Sequence, residues 1–156
     1  YGTAFVIDDV AYICCGDNNG TLVDDLWKFD GSDWKQLRDI ANNDSDEDYD
    51  DDYAITRAGT VSFVIDGRGY IATGTRSGVT SDYWVYDPEE DLWYGDSDDD
   101  YTPMTNVHNV SSGGSSRSYA VSFSTGKRGF VLSGSSGTSY FDDVYELLPY
   151  EQEDVD

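Results

Sequence analysis

Positive charge is scarce in this chain. Nine Lys and Arg stand against 32 Asp and Glu, and the resulting net charge of −23 repels phosphate backbones and anionic bilayers. Nucleic-acid binding is thereby all but excluded. His108 is the only histidine, and without a partner on a neighbouring repeat it reads as a loop residue rather than a catalyst. Nowhere does the sequence approach the ~20 apolar residues of a membrane-spanning helix, and no 3.6-residue apolar stripe persists for three turns. Cysteine is limited to Cys14 and Cys15, adjacent on a predicted strand with side chains expected on opposite faces. That arrangement suits neither a disulfide between them nor a shared metal, so they read as small packing residues and leave the redox compartment open. Tyr1 is neither an initiator methionine nor part of a signal peptide, so a processed or excised piece is expected.

Aromatic residues and glycine are plentiful instead. Thirteen Tyr, four Trp, six Phe and sixteen Gly, against three Pro and one Met, suit short strands and tight turns. They are also periodic. Phe63, Tyr70, Gly74, Trp84 and Tyr86 have counterparts in Phe5, Tyr12, Gly16, Trp27 and Phe29 upstream, and in Phe123, Phe130, Gly134, Tyr145 and Leu147 downstream. The aromatic-to-aromatic step is seven residues and the step to glycine four in every copy. Such constancy marks a repeat protein, whose rings fill the space between successive units. Asp25, Asp82 and Asp143 precede the third strand of each copy, and Arg57 and Arg117 precede the first strand of two. A recurring Asp to Arg pairing, buried or half-buried, is the structural reading, and the first copy would need its Arg before Tyr1.

Taken in order, residues 1–38 form the first repeat, with strands at Thr3–Ile7, Val10–Cys15, Asp25–Asp30 and Trp34–Leu37, and a turn at Asp17, Asn18, Asn19 and Gly20. Residues 39–56 are an acidic loop, longer than ordinary connections. The second repeat, 57–94, carries strands at Thr60–Ile65, Gly69–Thr73, Tyr83–Asp87 and Leu92–Tyr94. A loop at 95–116 turns from acidic to Ser/Gly-rich. The third repeat, 117–150, has strands at Tyr119–Ser124, Gly129–Ser133 and Asp143–Leu148, with a fourth sought within Leu148–Glu153; an acidic tail, 151–156, follows.

The acidic loops read first as solvated, self-repelling segments. The sharper alternative is Ca²⁺ held by Asp46, Glu47, Asp48 and Asp50, although the EF-hand order is missing. No other cofactor is expected. Asn19, Asn43 and Asn109 begin Asn-X-Ser/Thr triplets, which become glycan acceptors in a eukaryotic secreted protein.

The run GRGYIATG followed by SDYWVYDPEEDLW resembles the kelch repeat, and the likeness extends over the chain apart from the two long loops and the tail. The family's glycine pair is reduced here to one, with Cys15, Thr73 and Ser133 in the first position. Trp34 and Trp93 match the fourth-strand tryptophan; the third copy lacks it. The resemblance implies an all-β kelch β-propeller of three four-stranded antiparallel blades, half of a six-bladed ring, of the bacterial or secreted galactose-oxidase-like type. Its blades would close against the remaining half of the propeller, supplied by another chain segment or by a second copy. The expected role is a non-catalytic binding or scaffold module for protein or glycan, located extracellularly, at the cell surface or in the periplasm. The alternatives are an acidic Ca²⁺-binding surface protein and part of a sugar-active enzyme such as a mutarotase. A copper centre like that of galactose oxidase is not expected, because one histidine cannot supply its imidazole ligands.

Overall fold

The computed structural model describes residues 1–41, 54–95 and 115–147, together with the backbone course of 107–109. Within these residues the protein is all-β, with no helix at all. In sheet I, β1 (Thr3–Ile7), β2 (Val10–Cys14), β5 (Leu26–Phe29) and β6 (Trp34–Gln36) lie in the order β1-β2-β5-β6. Sheet II has β7 (Val61–Ile65), β8 (Arg68–Ala72), β9 (Tyr83–Asp87) and β10 (Leu92–Gly95) in the same sequential order. Sheet III is built from β12 (Val121–Ser124), β13 (Gly129–Leu132), β14 (Val144–Leu147) and, at its edge, β11 (Val107–Asn109). All neighbours within these sheets are antiparallel.

Two sequence expectations change. The outer strand of sheet III does not follow β14 in the chain: its place beside β14 is taken by β11, with Val107 opposite Leu147 and Asn109 opposite Tyr145. Leu148–Glu153, where that strand was sought, lie outside the described residues. A β-edge accepts any backbone in the right register, so proximity and not chain order selects its occupant. The second change is a fourth sheet. Residues read as a plain turn form a two-stranded hairpin, β3 (Asp17–Asn18) with β4 (Thr21–Leu22). Asn19 and Gly20 take φ of 55° and 91°, the left-handed pair that folds a two-residue hairpin. Among the described residues the sheets do not close into a ring.

The seven-residue aromatic step becomes a cross-strand pair. Phe5 lies opposite Tyr12, Phe63 opposite Tyr70 and Phe123 opposite Phe130, with rings stacked at 5.4, 5.7 and 4.6 Å. One core joins sheets I and II around Phe5, Tyr12, Leu26, Ile71, Tyr86 and Trp93; another joins II and III around Phe63, Tyr70, Val85, Val131 and Leu147. The inner strands β1, β7 and β12 run alongside one another, and hydroxyls stitch them. Ser62 donates to the Ala4 carbonyl and Ser122 to the Ser62 carbonyl, both at 2.7 Å.

Each second strand ends one residue earlier than expected, because Cys15, Thr73 and Ser133 take φ of 62°, 61° and 56° before the glycines. This left-handed step also overturns the opposite-face expectation for the cysteines: both are buried in the same core, as free thiols. The neighbouring Cys15 and then burial push the Cys14 thiol well up, so it stays protonated. Thr73 is the most strained of the three positions, β-branched at positive φ with a buried Oγ1 that meets no partner among the described residues. Thr73→Gly is therefore expected to stabilise the protein by about 1 kcal/mol and to raise its thermal midpoint by about 3 °C. A lowered midpoint in a thermal melt would show that the threonine contributes packing that outweighs the strain.

Candidate functional site

The most elaborate polar construction is a pair of arginine clamps, one in each of the last two repeats. Arg57 and Arg117 are 0% and 1% exposed. Burial of a guanidinium is tolerated only when its charge and its five N–H groups all find partners. Arg57 Nη1 and Nη2 grip Asp82 Oδ1 and Oδ2 at 2.9 and 2.8 Å. Nη1 also donates to the Thr73 carbonyl at 3.0 Å, Nη2 to the Ala54 carbonyl and Nε to the Ile55 carbonyl at 2.9 Å each. Arg117 repeats the scheme: Nη1 and Nη2 to Asp143 at 2.6 and 3.1 Å, Nη1 to the Ser133 carbonyl at 2.8 Å, Nε to the Ser115 carbonyl at 3.2 Å. Its guanidinium also lies over the Phe141 and Tyr145 rings, 4.5 and 4.4 Å from their centroids. The expected Asp to Arg pairing is thus present, and it closes within each repeat, between the segment before the first strand and the residue before the third. Neighbours are linked through the same arginines' backbone: Gly16 N–H donates to the Arg57 carbonyl at 2.8 Å and Gly74 N–H to the Arg117 carbonyl at 2.7 Å.

The electrostatics follow the geometry. Burial by itself would raise the Asp82 carboxyl, but the hydrogen bonds and charge of Arg57 outweigh it and hold it below the usual range. The Arg117 hydrogen bonds hold Asp143 down in the same way, against a smaller effect of burial. Asp87, the other buried charge, pairs with Arg68 at 3.1 Å and caps the turn through Glu89 N–H at 2.9 Å.

No protein-family model and no curated protein matches the chain. The repeats themselves are thus the basis for comparison, one copy against another.

Two concavities accompany the clamps. Between sheets II and III a cavity of about 30 Å³ is lined by Phe63, Thr73, Tyr83, Arg117 and Val131. It is an order of magnitude below the ~300 Å³ at which organic-ligand sites begin. A more open groove of about 260 Å³ runs where the inner strands meet, lined by Ala4, Val6, Ser62, Val64, Phe123 and Ser124. Its Ser62 hydroxyl accepts from Thr3 Oγ1 and donates to the Ala4 carbonyl, so it is spent on joining sheets.

The residues singled out in the sequence separate into groups. Phe5, Tyr12, Phe63, Tyr70, Trp93 and Tyr145 are buried, Trp27 and Trp84 half-buried, and Trp34 and Phe123 exposed. Phe130 is half-buried, and Gly16, Gly74 and Gly134 all have positive φ. Asn19 sits exposed on the hairpin turn, and Asn109 and His108 belong to β11. Asn43 and the proposed Ca²⁺ ligands Asp46, Glu47, Asp48 and Asp50 lie outside the described residues. Among the described residues no three His, Cys, Asp or Glu side chains converge to hold a metal.

Sequence reasoning passed over Gly69 and Gly129. A Cβ at Gly69 would stand 2.2 Å from the Phe5 ring, and one at Gly129 2.3 Å from the Phe63 ring. Each is the landing site for the preceding sheet's phenylalanine. Their signal was a glycine directly before the second-strand aromatic, in two copies of three.

Proposed function

We propose that this chain is part of a kelch-type β-propeller that serves as an extracytoplasmic, non-catalytic scaffold presenting its loops to a protein or glycan. One observation carries the reading: equivalent surfaces are core inside the arc and open at its ends. Phe123 is 48% exposed, whereas Phe5 and Phe63 are each 4% exposed under the next sheet. Trp34 is 55% exposed, whereas its counterpart Trp93 is 3% exposed beneath sheet I. Surfaces so alike in composition belong under a neighbour of the same kind. The buried charges favour a scaffold as well, since Arg57, Arg117 and Asp87 are each engaged by protein groups and held in place.

The face of sheet III fits a further four-stranded repeat better than it fits sheet I of a second copy. Inside the arc the incoming sheet offers a glycine to the phenylalanine and a serine to the inner-strand carbonyl, through Gly69 with Ser62 and then Gly129 with Ser122. Sheet I has Ala11 and Ala4 at those positions. The Ala11 methyl would enter the Phe123 ring, and the Ser122 carbonyl would gain no hydroxyl. Closure by another chain segment is therefore preferred over a two-copy ring.

Sedimentation velocity and NMR test this reading together. The purified chain is expected to self-associate without forming a discrete two-copy ring, and to bind members of a glycan or peptide array without altering them. A sharp dimer would overturn the closure. Interconversion of sugar anomers faster than in buffer would overturn the non-catalytic role and promote the mutarotase alternative.

A further inference from the structure

We propose that Asp25, with the backbone carbonyl of Cys15, is a receptor for an arginine side chain that is not among residues 1–156. In the other two repeats the same pair of groups, Asp82 with the Thr73 carbonyl and Asp143 with the Ser133 carbonyl, holds a buried guanidinium. The receptor half is built alike in all three. Asp25, Asp82 and Asp143 each stand directly before the third strand, and Cys15, Thr73 and Ser133 directly after the second, with φ between 56° and 62°. The loop between them is closed by one recurring bond: Val23 N–H to the Gly16 carbonyl at 3.1 Å, Thr80 to Gly74 at 2.9 Å, Phe141 to Gly134 at 3.0 Å. An indole fixes the carboxylate, through Trp27 Nε1 to Asp25 Oδ2 at 2.5 Å as through Trp84 Nε1 to Asp82 Oδ2 at 3.3 Å.

The cation is what differs. Arg57 and Arg117 precede their aspartates by 25 and 26 residues, and counting back equally from Asp25 passes Tyr1. All nine Lys and Arg fall within the described residues, and none of them pairs with Asp25, whose hydrogen-bonding partner there is Trp27. A half-buried carboxylate held by an indole, at the position where its two counterparts each share a guanidinium with a carbonyl, selects a planar cation with forked donors over a compact ammonium. The occupant is therefore an arginine delivered by an adjoining segment or partner. The inference rests on the repeat geometry and stands or falls separately from the scaffold reading.

The indole N–H of Trp27 reports on the site in a two-dimensional amide NMR spectrum, where four tryptophans give resolvable signals. Methylguanidinium is expected to shift the Trp27 signal saturably, while methylammonium at equal concentration leaves it in place. Asp25→Asn abolishes the shift, with the Trp84 and Trp93 signals confirming that the fold persists. In a chain extended by Arg-Ala before Tyr1, the signal already sits at the saturated position and methylguanidinium no longer moves it; a Gln-Ala extension changes nothing. Equal shifts with both cations, an unchanged shift in Asp25→Asn, or an Arg-Ala extension that leaves the site responsive would each overturn it.

Discussion

Gly69→Ala is expected to cost about 2–3 kcal/mol, the upper end of what overpacking a core does, although alanine normally suits a strand better than glycine. The new Cβ would fall 2.2 Å from Phe5 Cε2, with two more ring carbons at 2.6 Å. That ring cannot simply swing away. It stacks on Tyr12 and meets Tyr86 and Trp93 at 6.2 and 6.4 Å, in the core that joins sheets I and II. Urea denaturation of Gly69→Ala, Phe5→Leu and the double variant forms a cycle that isolates the contact. The double variant should be more stable than the sum of the singles by about 1–3 kcal/mol, because the smaller side chain leaves room for the methyl. Simple additivity would mean that Phe5 does not rest on Gly69, and the packing between sheets would have to be redrawn.

Replacing Arg57 with methionine should destabilise the protein by about 3–5 kcal/mol, the cost of stripping one partner from a buried pair. Methionine fills much of the volume but abandons the Asp82 carboxylate and the carbonyls of Ala54, Ile55 and Thr73. Arg57→Lys keeps the charge without the planar fork and should recover less than half of the loss. The pH dependence carries a separate signature. Asp82 is lowered in the folded protein, so its stabilising effect is complete above the unfolded value of about 3.9 and disappears as pH falls through the folded value. In Arg57→Met, burial remains without the guanidinium, and the same carboxyl moves above its unfolded value. The gap between wild type and variant should therefore narrow from pH 7 to pH 3. Ionic strength must be held constant, because a net charge of −23 adds its own pH-dependent repulsion. A gap that stays constant would show that the pair contributes shape and no charge stabilisation.

Much of the architecture was legible because it is periodic. The step from Phe5 to Tyr12 and its two echoes is the register of a hairpin, and a period fixed by register survives any change of packing around it. The recurrence of Asp82 and Asp143 after Arg57 and Arg117 likewise announced an ion pair. Less regular features escaped. The left-handed φ at Cys15 brought two adjacent thiols into one core, where strand alternation had placed them on opposite faces. Pairing of β11 beside β14, with Asn109 opposite Tyr145 and Val107 opposite Leu147, joins residues far apart in the chain, and local pattern carries no record of such a meeting.

The sequence by itself determined three repeats, the first three long strands of each and the pairing of the first with the second, since these are properties of neighbouring residues and of side chains alternating across a strand. Tertiary structure decided which faces meet: that Phe5 lands on Gly69 and Phe63 on Gly129, that the clamps close within a repeat, and that Asp25 is left with an indole and no cation. Contacts between sheets depend on how whole faces lie against each other, and that arrangement emerges only when all the burial demands are satisfied at once.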